Sequence, residues 1–364
     1  MHILFALPGL HRFARGAEVV FESVAQEIAL KGKHQVTLVG AGEPIADRAY
    51  DFVHIPAVSR GRFERWPKLP FLRHEFMYEE LTFAARLATS GLVGKADLTM
   101  TCSYPYTNWA LRRPQGSGRR PAHVFVTQNG DWAANGHGSE TRFFSCDGLI
   151  CTNPVYFERN RERWDATLIP NGVDPKRFTP GPQRKAEFGL PLDRPVVLMV
   201  SALDTGKRVI EAMQAMAAVP DAFLLVAGDG PLREEVDRLA AEKLPGRFRR
   251  ATFTQEQMPD LYRSADLFLH TKILESFGNV YVEALCCGTP LVVHDDEVTH
   301  WILGDHATFV DTTSSSALSE AIAGALNHSR LDEGAVAWAH DRYSWSQIAG
   351  KYAEFFESVV RTRI

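Results

Sequence analysis

No stretch of about 18 apolar residues occurs anywhere in the 364 residues, so no segment reads as a membrane-crossing helix. The start of the chain lacks a charged segment followed by an apolar one and gives no sign of an export signal. Cysteine is sparse: Cys102, Cys146, Cys151, Cys286 and Cys287 form no CxxC pair. Their odd number and unpatterned spacing point to reduced, buried thiols in a cytoplasmic protein, and against a disulfide framework or a zinc site. Neither charge is in large excess, and a net charge of −4 gives no electrostatic reason to expect nucleic acid. A dinucleotide fingerprint is also missing. Gly9 and Gly16 are too far apart for GxGxxG, and in Gly228-Asp229-Gly230-Pro231 the third glycine position falls on Arg233. That weakens the case for a redox enzyme.

What the chain does have is a long alternation of short apolar runs and helical patterns. His2 to Leu7, Val36 to Val39, Asp97 to Cys102, His123 to Thr127, Leu149 to Thr152 and Leu168-Ile169 read as buried strands in the first half. Val196 to Val200, Phe223 to Ala227, Arg249 to Phe253, Leu267 to Leu269 and Leu291 to Val293 do so in the second. Strands alternating with helices imply an α/β protein with parallel sheets, and this length suggests two domains. Pro170 to Pro182 is rich in Pro and Gly without periodicity, which places the linker at 171–182 between domains at 1–170 and 183–344.

The most informative stretch is Ala265 to Asp296. Its apolar run leads through Glu275-Ser276-Phe277-Gly278-Asn279 into a helical segment closed by Gly288, and then into a second apolar run. This is a βαβ unit, which delivers its loop and helix start to the carboxyl edge of a sheet, where ligands bind. Glu275 and Glu283 frame the turn. Eight helical residues would separate them by about 12 Å, too far for a glycosidase pair at roughly 5 to 9.5 Å. The spacing suits opposite ends of one extended ligand. Between them the backbone of Phe277, Gly278, Asn279 and Val280 lies at a helix start, where a diphosphate is favoured, and Gly278 lets that backbone come close. These features together imply a nucleotide sugar.

The run ESFGNVYVEALCCGTPLVV resembles the signature of the retaining glycosyltransferases of family 4, which have the GT-B fold: two Rossmann-like domains facing each other across a cleft. The resemblance implies that Glu275 contacts the donor sugar and Glu283 the ribose, and that the donor is a UDP or GDP sugar held without a metal or other cofactor. It implies that Gly16 approaches the donor phosphates, with Arg15 as added charge, and that Gly228 and Thr254 lie beside the nucleotide. It also implies that Lys207 reaches the diphosphate. Where the family carries an Arg five residues earlier this chain has Ala202, so Arg208 or Arg15 is the candidate for the second charge. The aromatic-studded C-terminal helix at 345–364 would cross back onto the first domain, and domain closure would complete the site.

Other stretches leave alternatives open. Gln128-Asn129-Gly130-Asp131 ends a strand, with Gln128 where the resembling family often has His; Asp131 could orient an acceptor hydroxyl, or the stretch could be a plain Asn-Gly turn. The segment at 115–120 reads as a loop. From 56 to 76, Arg60, Arg62, Arg65, Lys68 and Arg73 alternate with Phe63, Trp66, Leu69, Phe71 and Leu72. That pattern fits either a contact with the inner membrane surface or aromatics packed on their own domain. His294-Asp295-Asp296-Glu297 has metal-ligand residue types, but the expectation is no metal. The expected activity is transfer of a hexose to a hydroxyl acceptor, in polysaccharide, glycolipid or glycoside biosynthesis. A sugar-nucleotide epimerase of the same fold and a non-catalytic nucleotide-sugar-binding protein are the alternatives.

Overall fold

The computed structural model describes residues 1–114, 120–328 and 330–363, so most of the loop expected at 115–120 lies outside the described residues. The described chain forms two compact units: residues 1–171 with 345–364, and residues 172–344.

In the first unit a seven-stranded parallel sheet contains β1 (His2–Ala6), β2 (Gln35–Gly40), β3 (Asp51–His54), β4 (Leu98–Thr101), β5 (Ala122–Val126), β6 (Gly148–Cys151) and β7 (Ala166–Leu168). Their order is β3-β2-β1-β4-β5-β6-β7. In the second unit a six-stranded parallel sheet contains β8 (Val196–Val200), β9 (Phe223–Ala227), β10 (Phe248–Ala251), β11 (Leu267–His270), β12 (Leu291–His294) and β13 (Thr308–Val310), in the order β10-β9-β8-β11-β12-β13. Each order reverses once, between β1 and β4 in the first sheet and between β8 and β11 in the second. Loops leaving the two strands at such a switch point diverge and open a ligand crevice at the carboxyl edge.

The central strands are largely buried and mostly apolar, with Thr99, Thr101 and His123 as buried polar members, as an all-parallel sheet covered on both faces requires. The strands that the sequence reading omits, β3 and β13, are edge strands. They are only half-buried and carry Asp51, His54 and Thr308, so they show no apolar run.

Helix Trp345–Arg363 completes the first unit. Its Tyr352 and Phe356 are fully buried, and Phe356 meets Phe5 of β1 edge to face. Each such ring contributes about 1.5–3 kcal/mol of burial. Gly148 at the start of β6 makes room for the helix, since a Cβ there would stand 2.7 Å from Val359 Cγ2.

The basic aromatic stretch divides in two. Phe63 is buried against Tyr78, and Phe71, at the left-handed position of a tight turn (φ +63°), packs near Trp109. Trp66 remains 55% exposed and Leu69 47%. No helix among the described residues is long and apolar enough to cross a membrane.

Candidate functional site

The loops that follow β8 and β11 carry the charged residues expected at a donor site. After β8 the chain runs from Ser201 to a single 3₁₀ turn, Thr205–Lys207, whose end is fixed by Asp204: its side chain accepts the Lys207 N–H at 3.2 Å. The next residue, Arg208, is left-handed at φ +56°. Thr271, from the loop after β11, holds this bend by donating its hydroxyl to the carbonyls of Lys207 (3.2 Å) and Arg208 (3.0 Å). The two loops at the switch point are therefore bonded to each other, which restricts where Lys207 can point.

Lys207 Nζ donates to Glu275 Oε2 at 2.9 Å, and Lys272 Nζ donates to Glu275 Oε1 at 3.0 Å. His270, the buried last residue of β11, places Nε2 3.9 Å from Glu275 Oε2 and Nδ1 2.9 Å from the Tyr281 hydroxyl. Burial alone would raise the Glu275 pKa, but the neighbouring Lys207, His270 and Lys272 outweigh it and bring the carboxyl down to about 2. Burial lowers His270 to about 4 despite Glu275, so the imidazole is neutral near pH 7. A neutral ring facing a carboxylate favours the Nε2–H tautomer, leaving Nδ1 to accept from Tyr281.

Behind this cluster Gly278 caps helix Asn279–Cys286 with φ +75°. A side chain there would be strained, and its Cβ would meet Tyr281 Cε2 at 2.6 Å and Glu275 Cγ at 3.0 Å. The helix start thus comes up directly behind the Glu275 loop, where its dipole favours an anion. Phe277 itself is a core residue, packed edge to face against Trp301 and Tyr343, so only its backbone could face a ligand. Asn279 and Val280 form the first turn. Glu283 lies farther along the helix and accepts the Tyr262 hydroxyl at 2.7 Å; burial raises its pKa, while Tyr262 and Arg177 pull the other way.

The remaining expected residues are dispersed. Gly228, just after β9, lies so close to the loop after β8 that a methyl group would collide with the Ser201 carbonyl. Backbone packing thus accounts for that glycine. Thr254 is exposed on the turn after β10, its N–H bonded to the Gln257 side chain at 2.9 Å.

Arg208 does not supply a second charge to the site. Its guanidinium turns to the Thr312 carbonyl (3.3 Å) and to Glu211 (3.4 Å). In the first unit Gly16 opens helix Gly16–Leu30, and Arg15 lies over the Phe13 ring at 4.0 Å. The neighbouring Arg12 is paired with buried Glu79 at 2.9 Å.

Asp131 is not placed for chemistry. It is buried, Oδ2 accepts from Asn160 at 2.9 Å and Oδ1 from Arg159 at 3.1 Å, which makes it a brace between the loop after β5 and helix Pro154–Asn160. Gln128 is likewise spent, its amide exchanging hydrogen bonds with Asn171 at 2.6 and 3.0 Å. At the end of β12, Asp296 caps helix Glu297–Leu303, Asp295 bonds His300, and His294 bonds Thr312. No group of three or more His, Cys, Asp or Glu among the described residues is placed to hold a metal.

Lys272 and His270 are absent from the sequence reading. A histidine closing an apolar strand was a signal available for the second, whereas a lysine in a polar loop has none.

Residues 182–339 match the family of glycosyl transferases group 1. The GDP-mannose-dependent alpha-(1-6)-phosphatidylinositol monomannoside mannosyltransferase of Mycolicibacterium smegmatis is 31% identical over 211 residues, 51% of this chain and 54% of that protein. The chain spans about half the length of the curated relatives it matches. Among solved structures, a sucrose-phosphate synthase from Thermosynechococcus elongatus aligns at a TM-score of 0.80 with 18% identity over 99% of both chains. Anabaena HepE, solved with UDP-glucose, aligns at 0.75 with 18% identity over 98% of this chain and 100% of its own. These likenesses give the fold as GT-B, with two Rossmann-like α/β domains. It is over residues 182–339, the segment carrying Lys207, Glu275 and Glu283, that the chain is similar to the glycosyl transferases group 1 family.

Proposed function

We propose that this chain is a retaining glycosyltransferase that moves a sugar from a nucleoside-diphosphate sugar of the UDP or GDP type to a hydroxyl acceptor, in the making of a polysaccharide, glycolipid or glycoside. The observation that carries the reading is the Lys207–Glu275 pair at 2.9 Å, at the switch point of the second sheet and in front of a helix start. A carboxylate with an ammonium beside it can bind sugar hydroxyls and phosphate oxygens in one place. The mannosyltransferase relative and the UDP-glucose complex of HepE support the donor class.

In this reading Glu275 positions the transferred sugar and Lys207 neutralises the charge that grows on the diphosphate as its bond to the sugar breaks. Glu283 takes a ribose hydroxyl, and the backbone from Phe277 to Val280 lies along the phosphates. The acceptor oxygen attaches to the anomeric carbon from the side the diphosphate leaves, and the departing phosphate oxygen takes the acceptor's proton. No separate base is called for, and Asp131 has no part. The ammonium groups carry the charge and no metal is invoked. The first unit receives the acceptor. We place the protein in the cytoplasm, where its five buried thiols stay reduced. There the exposed face of the 56–76 stretch rests on the inner membrane surface.

A thermal-shift panel of UDP, GDP, ADP, NAD and the common sugar conjugates, without added metal, tests the donor site. A ligand at a hundred times its Kd stabilises the native state by about 2.7 kcal/mol. Selective stabilisation by one nucleoside diphosphate and its sugar conjugate is expected. A response to NAD alone, or to nothing, overturns the reading, and so does isomerisation of the nucleotide sugar with no acceptor present.

A further inference from the structure

We infer that Lys272 is a second diphosphate-binding residue of the donor site, sharing the leaving group's charge with Lys207. The inference rests on the donor-site reading above and starts from charge balance. Two ammonium groups meet one carboxylate: Lys207 at 2.9 Å and Lys272 at 3.0 Å from the two oxygens of Glu275. All three are largely withdrawn from water, the side chains being 24%, 23% and 13% exposed. The fourth neighbour, His270, is buried and neutral and compensates nothing. Among the described residues neither lysine has another carboxylate within ion-pair distance.

The cluster therefore holds one uncompensated positive charge, and the helix start behind it adds more of the same sign. Charge left unbalanced in a half-buried site is costly unless a counter-ion completes it. A carboxylate or other singly charged anion would balance the lysines only by leaving Glu275 bound to them. A diphosphate carries enough negative charge to take both ammonium groups, and Glu275 is then free to turn to the sugar.

Among the described residues of the loops after β8 and β11, no other side chain supplies that second cation. Position 202, on the loop after β8, is alanine, and Arg208 is committed to Thr312 and Glu211. Lys272 lies on the other loop of the switch point, so the two ammonium groups come from different loops and meet at the two oxygens of Glu275. During transfer the bond between the anomeric carbon and the phosphate oxygen breaks and its electron pair stays on that oxygen. The acceptor oxygen bonds the carbon and its proton passes to the departing oxygen. Until that proton arrives the leaving group bears one more negative charge than the bound donor, and the second ammonium is placed to offset it.

Calorimetric titration of wild type, Lys272→Met, Lys272→Gln and Lys272→Arg with UDP, GDP, UMP and GMP tests this, with unliganded melting curves to compare folding. For whichever diphosphate the wild type binds, the Met and Gln variants are expected to bind about tenfold or more weakly. Their affinity for the matching monophosphate is expected to stay within about twofold, and Arg to restore most of the loss. Diphosphate affinity unchanged in both variants overturns the inference, as does an equal loss for monophosphate and diphosphate. A wild type that binds neither UDP nor GDP overturns the donor-site reading itself, and that result is read on the unsubstituted protein.

Discussion

Lys207 Nζ and Glu275 Oε2, 68 positions apart in the chain, meet at 2.9 Å because β8 and β11 are neighbours at the point where the strand order reverses. Sheet topology brings this pair together, and the bend at Arg208, bonded to Thr271, aims the lysine.

Glu275→Ala is expected to abolish sugar transfer, with kcat falling by about a hundredfold or more. Nucleoside diphosphate affinity is expected to hold or rise, since both lysines lose their internal partner. Titration with the diphosphate alone and a transfer assay separate the two effects. A variant that fails to bind the diphosphate would show that Glu275 organises the whole site and is not confined to the sugar end.

The same pair predicts a pH dependence. The folded-state pKa of Glu275, about 2, lies below its ordinary value of 4.5, so its ionic contribution is fully present above pH 4.5 and is lost as pH falls toward 2. Glu275→Gln leaves two half-buried ammonium groups unpaired and should destabilise the second unit at neutral pH. Denaturant curves of wild type and variant are expected to differ by a constant amount above pH 4.5 and to converge in acid. A gap that is unchanged at pH 2.5 would sink the assignment.

Tyr262→Phe removes the hydroxyl that Glu283 accepts at 2.7 Å. The loss of a hydrogen bond to a buried carboxylate should cost about 1–3 kcal/mol of stability. Under the ribose assignment it should also weaken nucleoside binding while leaving inorganic pyrophosphate binding unchanged. Equal weakening of both would mean that the helix has shifted and would count against a specific ribose contact.

Much of this site was legible because it is local. The Leu267 to Gly288 segment carries its strand, turn, helix and stop within one short stretch, and Lys207 follows a strand whose residues are all apolar. What stayed illegible depends on partners distant in sequence. Asp131 reads as a polar residue at a strand end, and only Arg159 and Asn160, 28 and 29 positions later, turn it into a brace. Arg208 sits next to Lys207, yet a left-handed backbone sends its side chain to Thr312. Lys272 belongs to no pattern until the fold sets it against Glu275. The edge strands β3 and β13 escaped because half-buried edges need no apolar run.

Two glycines make a contrast that separates conformation from space. At Gly278 an added methyl is strained by φ +75° and meets the side chain of Tyr281 at 2.6 Å, so Gly278→Ala should cost about 1–3 kcal/mol and disturb Glu275. At Gly228 the neighbour is the Ser201 carbonyl, which is backbone and cannot yield without moving the loop after β8. Gly228→Ala should therefore be the more destabilising, by more than about 3 kcal/mol. Chemical denaturation of both variants checks the ranking. The reverse order would mean that the two strand ends are not packed as closely as this.

The 56–76 stretch gives the last prediction. Its buried half, with Phe63 against Tyr78, fixes a platform on which Trp66 stands 55% exposed and Leu69 47%, among exposed Arg62, Arg65 and Lys68. An indole held edge-on to Phe63 and Tyr78 is already ordered, so inserting it at a lipid interface costs little side-chain entropy. Each nearby basic residue adds about 1 kcal/mol at an anionic surface. Wild type should therefore sediment with vesicles containing about one-third phosphatidylglycerol at low salt and release as salt screens the charges. Trp66→Ser with Leu69→Ser should weaken this binding, with only a small fall in melting temperature from the lost ring contacts to Phe63 and Tyr78. Replacing Arg62, Arg65 and Lys68 with Gln should abolish its salt dependence. Binding to neutral vesicles of equal strength would show that the charges play no part, and no binding at all would leave the exposed aromatics without a lipid role.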